Sequence, residues 1–219
     1  MNVRHVQVAP VSAEQQLKFL KQIQQILQLG SFSSSYKFAL LISLSRLAIE
    51  QGEDTAAVLE LSYLDIAEKF VELYWNQSLP YTLNQPDQRD SSMILNQNNG
   101  AQAAIVNRVI AARKKYTTIP ALRRDDKAWK TLLTQVAKTV KDMPVQYLQN
   151  IQGQSHEFLY RLDLCSHKLL LLPNMMFCLR QFSEIIEELC QKKWIDYILL
   201  NKNNLMISNG LPNLAEFMF

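Results

Sequence analysis

Between Ala101 and Lys141 the chain carries Arg108, Arg113, Lys114, Lys115, Arg123, Arg124, Lys127, Lys130, Lys138 and Lys141 against only Asp125 and Asp126. That block therefore holds +8, while the whole 219-residue chain nets +3 and the remainder is acidic at −5. Local cations on this scale suit the neutralisation of phosphates, where each Lys or Arg contact releases counterions and makes binding salt-dependent. Such contacts hold a nucleic acid in place but read no base sequence. Arg108, Arg113, Lys114, Lys115, Arg123, Arg124, Lys127 and Lys130 are the candidate DNA contacts. Tyr116 and Trp129 fall inside the block, where exposed aromatics could stack on bases, although Trp129 sits at core spacing. The competing reading is the solvated faces of two helices, the ordinary place for Lys and Arg.

Other chemistry is thin. Gln97-Asn98-Asn99-Gly100 reads as the opening of a helix, either presenting free backbone N–H groups to a phosphate or forming a turn in which an Asn caps the helix. Asp163, His167 and Lys168 are the only cluster to nominate for an enzyme centre. A carboxylate–lysine nuclease would want an acid two residues before the lysine, and position 166 is Ser. His5 and His156 stand apart from any motif, and no metal site is evident. Nucleophile elbows, phosphate-binding GxxxxGK loops and dinucleotide fingerprints are absent from the sequence. Cys165, Cys178 and Cys190 form no CxxC pair. Their odd count fits neither a disulfide framework nor a zinc knuckle and implies a reducing, cytoplasmic setting in which they act as small buried hydrophobes.

The elements that must position these residues are helical. Hydrophobic residues make up 48% and charged residues 20%, with 5 glycines and 7 prolines, which leaves little room for long linkers. Residues 1–30 read as a tail lacking a secretory signal, followed by an amphipathic helix with Leu17, Leu20, Ile23, Ile26, Leu27 and Leu29 inward. Residues 31–219 read as a helical domain. Ser33, Ser34 and Ser35 offer N-cap oxygens to a core helix running to Gly52, with Phe38, Leu41, Ile42, Leu44 and Ile49 around its circumference. Its polar interruptions and length rule out a membrane span.

A capping-box spacing at Ser62–Asp65 predicts a helix through Trp75 with Ile66, Phe70, Leu73 and Tyr74 buried. Residues 79–90 read as an exposed loop, the best candidate for a flexible boundary. A further helix over about 126–141 turns Trp129, Leu133, Val136 and Val140 inward. Phe158–Asp163 and Lys168–Leu172 read as a β-hairpin, a pattern that a buried helix edge could also produce. One long amphipathic stretch follows Asn174, with Met176, Leu179, Phe182, Ile186, Leu189 and Trp194 inward, until the Asn-Lys-Asn-Asn cluster. The fold class is therefore mainly α, a multi-helix globular domain with a small β-hairpin near residues 158–172. Phe217, Met218 and Phe219 must be covered by this domain's own surface or by something else, which makes them candidate partner-binding residues.

Several blocks occur in order: SSYKFALLISLSRLAIEQG, IAEKFVELYW, ILNQNNGAQAAIV, LRRDDKAWKTLL, MPVQYLQ, EFLYRL, MMFCLRQF and NLAEFMF. Together, from about Phe32 to the end, they resemble the N-terminal region of bacterial HNH endonuclease domain proteins. The resemblance implies a non-catalytic helical domain that engages DNA or regulates a nuclease, in restriction or antiphage defence. It also implies that the ββα-metal module, with its catalytic histidines and divalent metal, would follow position 219. No catalytic residue and no cofactor then belong to these 219 residues. The alternative function is a protein-interaction or oligomerisation module that binds a partner subunit, or a second copy, through an apolar surface.

Overall fold

The computed structural model describes residues 11–82, 92–163, 168–207 and 213–219. The first helix, α1 (Ala13–Leu29), starts on a full capping box, in which Ser12 accepts from the Gln15 amide and the Gln15 side chain accepts from Ser12 N–H. Its inward face is Phe19, Ile23, Ile26 and Leu27. Leu17 and Leu29, expected inside, are 67% and 45% exposed. Phe19 takes the inner position and stacks on Phe182, which rotates the buried stripe away from Leu17.

The central element is α2 (Tyr36–Gln51), in which twelve residues from Tyr36 to Ala48 are buried. Its serines do not break the core because each hydroxyl finds a carbonyl: Ser43 donates to Ala39 and Ser45 to Leu179. Ser35 caps no amide, contrary to expectation, since its hydroxyl is shared with the Tyr74 hydroxyl at 2.7 Å. Ile49, another expected core residue, is 49% exposed.

At the C-terminus of α2 the Arg180 guanidinium donates to the carbonyls of Ala48, Ile49 and Gly52 and to Asp54. A cation there satisfies orphan carbonyls and complements the negative end of the helix dipole. Arg180→Met is expected to lower stability by about 2 kcal/mol in urea unfolding. A loss below a few tenths would show that water replaces the guanidinium at little cost.

Strand β1 (Leu59–Ser62) leads into α3 (Tyr63–Gln77), whose first turn is capped as predicted by Ser62 accepting from Asp65 N–H. Ile66, Phe70, Leu73 and Tyr74 are buried. Short strands β2 (Tyr81–Thr82) and β3 (Ser92–Met93) pair antiparallel, and residues 83–90 of the expected loop lie outside the described residues. Next come α4 (Ala104–Arg113), α5 (Ile119–Arg123), α6 (Asp126–Asp142) and α7 (Pro144–Tyr147).

A tight hairpin joins β4 (Asn150–Ile151) to β5 (Gln154–Ser155) through Gln152 and Gly153, both at positive φ (51° and 81°), as a two-residue turn matched to strand twist requires. The expected hairpin near 158–172 is present as β6 (Tyr160–Asp163) and β7 (Lys168–Leu171). It gains a third strand that the sequence reading did not foresee, because β1 pairs antiparallel with β7 in the order β1-β7-β6.

The long stretch after Asn174 is two helices, α8 (Met175–Gln181) and α9 (Ser183–Leu200), broken at Phe182. The break leaves Leu189, expected inside, 44% exposed. A 3-10 helix (Lys202–Ile207) and α10 (Leu214–Met218) follow. The fold is mainly α around one apolar core, to which α1 contributes alongside α2, α3, α6 and α9. Among the described residues no helix is long and apolar enough to cross a membrane.

Candidate nucleic-acid interface

The basic block folds into α4, α5 and α6, which pack on α3 and on one another. The ends that carry most of the charge are tied together locally. Tyr116, just past α4, donates its hydroxyl to Asp125, the residue that also caps α6 by accepting from Ala128 N–H. The Tyr116 hydrogen bond holds the Asp125 carboxyl below its usual range and raises the tyrosine's own pKa. This link ties the segment of Lys114 and Lys115 to that of Arg124 and Lys127. It also occupies the Tyr116 hydroxyl, expected in sequence only as part of a stacking surface.

Burial of Leu132, Leu133, Val136, Ala137 and Val140 turns the opposite side of α6 to solvent, with Lys127, Lys130 and Lys138 exposed along it. Lys127 and Lys138 are eleven residues apart on one face, about 16 Å along the helix.

The eight nominated cations do not play one role. Arg113 donates to the Trp75 carbonyl at 2.6 Å, with its guanidinium 4.8 Å from the Trp75 ring, so it binds α4 to the end of α3. Arg108 donates to the Thr139 hydroxyl and ties α4 to α6. Arg123 pairs with Glu68 and Glu72 of α3 and lies over the Trp129 ring, which is half-buried. These three hold the fold together.

The side chains of Lys114, Lys115, Arg124 and Lys127 form no hydrogen bond or ion pair among the described residues, although the Lys115 charge helps to lower the Asp125 pKa. Lys130 meets only Asp126, in a pair whose side chains are 72% and 75% exposed. An ion pair that open to water contributes less than about 1 kcal/mol and exchanges readily for a phosphate. Five of the nominated residues therefore remain exposed and spend no charge on holding helices together, and Lys138 is exposed beside them in sequence. Sequence could not separate the two groups, because an arginine that bridges helices and one that faces solvent have the same spacing.

The other expectations fall elsewhere. Asn98-Asn99-Gly100 does not open a helix: α4 starts at Ala104 on Ala103, with no side-chain cap. The Asn-rich segment is instead held by Asn201, whose amide donates to the Asn96 and Asn98 carbonyls, and by Asn203, which donates to those of Asn99 and Gly100. The N–H groups that a phosphate would need are also spent within the fold, that of Gln97 on Gln102 Oε1, that of Asn98 on Asn96 Oδ1 and that of Asn99 on the Ser33 carbonyl, so this segment does not offer them to a phosphate.

Lys168 pairs with Glu60 across β1–β7, whereas His167 lies outside the described residues with Cys165 and His5. Cys178 and Cys190 are buried, and burial pushes the Cys178 thiol up to about 11 and that of Cys190 higher still. Both fit the role of small hydrophobes. At the end of the chain Met218 is buried, Phe217 packs edge-on against Tyr81 and Phe219 edge-on against Trp194. This domain's own surface covers much of that segment, with Phe219 36% exposed.

The molecule is thus mainly helical, with exposed lysines and arginines between Lys114 and Lys138. It belongs to the family described as Domain of unknown function (DUF8808), whose model matches residues 16–210. No curated protein and no solved structure matches the chain.

Proposed function

We propose that this chain is a non-catalytic DNA-engaging domain that docks on the phosphate backbone through Lys114, Lys115, Arg124, Lys127 and Lys130. The observation that carries the reading is their freedom: the side chains of four form no hydrogen bond or ion pair among the described residues and the fifth is held only by an exposed pair. The Tyr116–Asp125 link supplies the preorganisation, since it ties two basic segments together through a tyrosine hydroxyl, and Lys115 alone among the five feels the Asp125 charge. The HNH resemblance of the sequence supports placing this docking function beside a nuclease, in restriction or antiphage defence. There the domain would position the duplex, and a separate metal-dependent module would cut it.

Five phosphate contacts predict a salt slope of about −4.5 on a duplex. Replacing Lys114, Lys115, Arg124 and Lys127 together with Glu is expected to weaken binding by roughly 100-fold or more and to flatten the slope by about 4. Fluorescence anisotropy on a labelled duplex across a salt series reads both quantities. Thermal stability should stay within about 0.5 kcal/mol of the parent, because these side chains are exposed and unpaired. Unchanged affinity in the fourfold variant would refute the proposal.

A further inference from the structure

A cavity of about 400 Å³ opens between the start of α2, helix α7 and the β4–β5 turn, with Leu29, Lys37, Met143, Pro144, Tyr147 and Asn150 in its lining. Lys37 is its anomaly. The residue is 8% exposed and forms no ion pair or hydrogen bond among the described residues, its nearest partner being the Phe32 ring, 5.5 Å from the ammonium. It occupies the second position of α2, where the helix dipole is positive and a cation is least welcome. Desolvation lowers its pKa from the ordinary lysine value. Burial, helix position and the lack of a counter-ion all oppose a lysine here, and a local choice that conflicts with the fold in this way is expected at functional sites.

Asn150, which also lines the cavity, carries a second unsatisfied group: its Oδ1 is buried and has no hydrogen-bond partner among the described residues. The walls between them include the apolar side chains of Leu29, Met143, Pro144 and Tyr147.

We propose that this cavity binds a small organic carboxylate, with its anionic group on Lys37, its apolar body against Met143, Pro144 and Tyr147, and an N–H or O–H donated to Asn150 Oδ1. One unpaired cation matches a single negative charge, which favours a carboxylate over a doubly charged phosphate monoester. The positive end of α2 adds to the attraction. The ligand supplies what the fold leaves out, a counter-ion for Lys37 and a donor for Asn150. This site shares no residue with the five proposed DNA contacts and does not depend on the DNA reading.

The test titrates the full chain with N-acetyl-L-phenylalaninate, which offers a carboxylate, an aromatic body and one N–H, and follows backbone amide signals by two-dimensional NMR. Its methyl ester removes the charge, and 3-phenylpropionate removes the N–H. Saturable shifts confined to Ser33, Ser34, Lys37, Tyr147, Asn150 and Gly153 are expected, with the acid binding at least tenfold more tightly than the ester. Phenylpropionate should fall between them. Lys37→Met should abolish carboxylate binding and melt no lower than the parent, since it removes a buried unpaired charge, so lost binding would not reflect unfolding. Asn150→Leu should weaken the N-acetyl compound and leave phenylpropionate unchanged. Equal affinity for acid and ester, shifts centred elsewhere, or no saturable binding by any of the three would overturn the proposal.

Discussion

Gln149→Met should destabilise the fold by roughly 4 kcal/mol, although the two side chains are similar in length and shape. The Gln149 side chain, 8% exposed, substitutes for a strand. Its Oε1 accepts from the backbone N–H groups of Phe158, Leu159 and Tyr160, and its Nε2 donates to the Tyr160 carbonyl. The segment entering β6 has no neighbouring strand on that side in the β1-β7-β6 sheet, so this one amide takes the place of a ladder. Methionine would fill the space and leave three donors and an acceptor with nothing to bond. Each buried group so orphaned costs about 1–3 kcal/mol, partly relieved where Phe158 reaches water. Guanidinium unfolding would measure the change. A loss below about 1 kcal/mol would mean that the segment rearranges to satisfy itself.

Trp194→Ala is the second large effect, expected at about 5 kcal/mol. Trp194 is fully buried on α9 and packs against Tyr74, Phe38 and Phe219 with ring centres 5.2, 6.3 and 5.4 Å away. Truncation leaves a cavity among these rings, which alone accounts for about 3–5 kcal/mol. The indole N–H also donates to Gln97 Oε1 at 2.7 Å, and Gln97 is wholly buried with its Nε2 already unpartnered. Removing the indole would strand the whole amide in the core. Trp194→Phe separates the two contributions by keeping most of the volume while breaking the hydrogen bond, and roughly half the loss is expected. Similar losses for Phe and Ala would assign the effect to Gln97. A negligible loss for Phe would assign it to packing.

The two residues differ in how far sequence exposes them. Trp194 lies at helical spacing in an apolar stretch, so its burial was legible. Gln149 has no such signature, because its role depends on a segment folding back beside it. Lys37 gave a faint signal, a lone lysine at the start of the most apolar helix. Its meaning depends on which walls close around it and on its lacking an ion pair among the described residues, and neither is a property of spacing.

Periodicity and local chemistry by themselves determined the mainly helical class, the central position of α2, the Ser62 cap and the inward face of α3, while at residues 158–172 they left a hairpin and a buried helix edge both open until the β6–β7 pairing decided it. These follow from interactions between residues a few positions apart, where one turn or one pleat decides which way a side chain points. Tertiary structure alone decided that Phe19 displaces Leu17 at the core, that Phe182 breaks one long stretch into α8 and α9, and that β1 joins the distant β7. It also divided the basic block into Arg108, Arg113 and Arg123, which bind helices together, and the cations that remain exposed. The physical reason is common to all: whether a side chain is buried or paired depends on neighbours tens of residues away, and the sequence around it does not identify them.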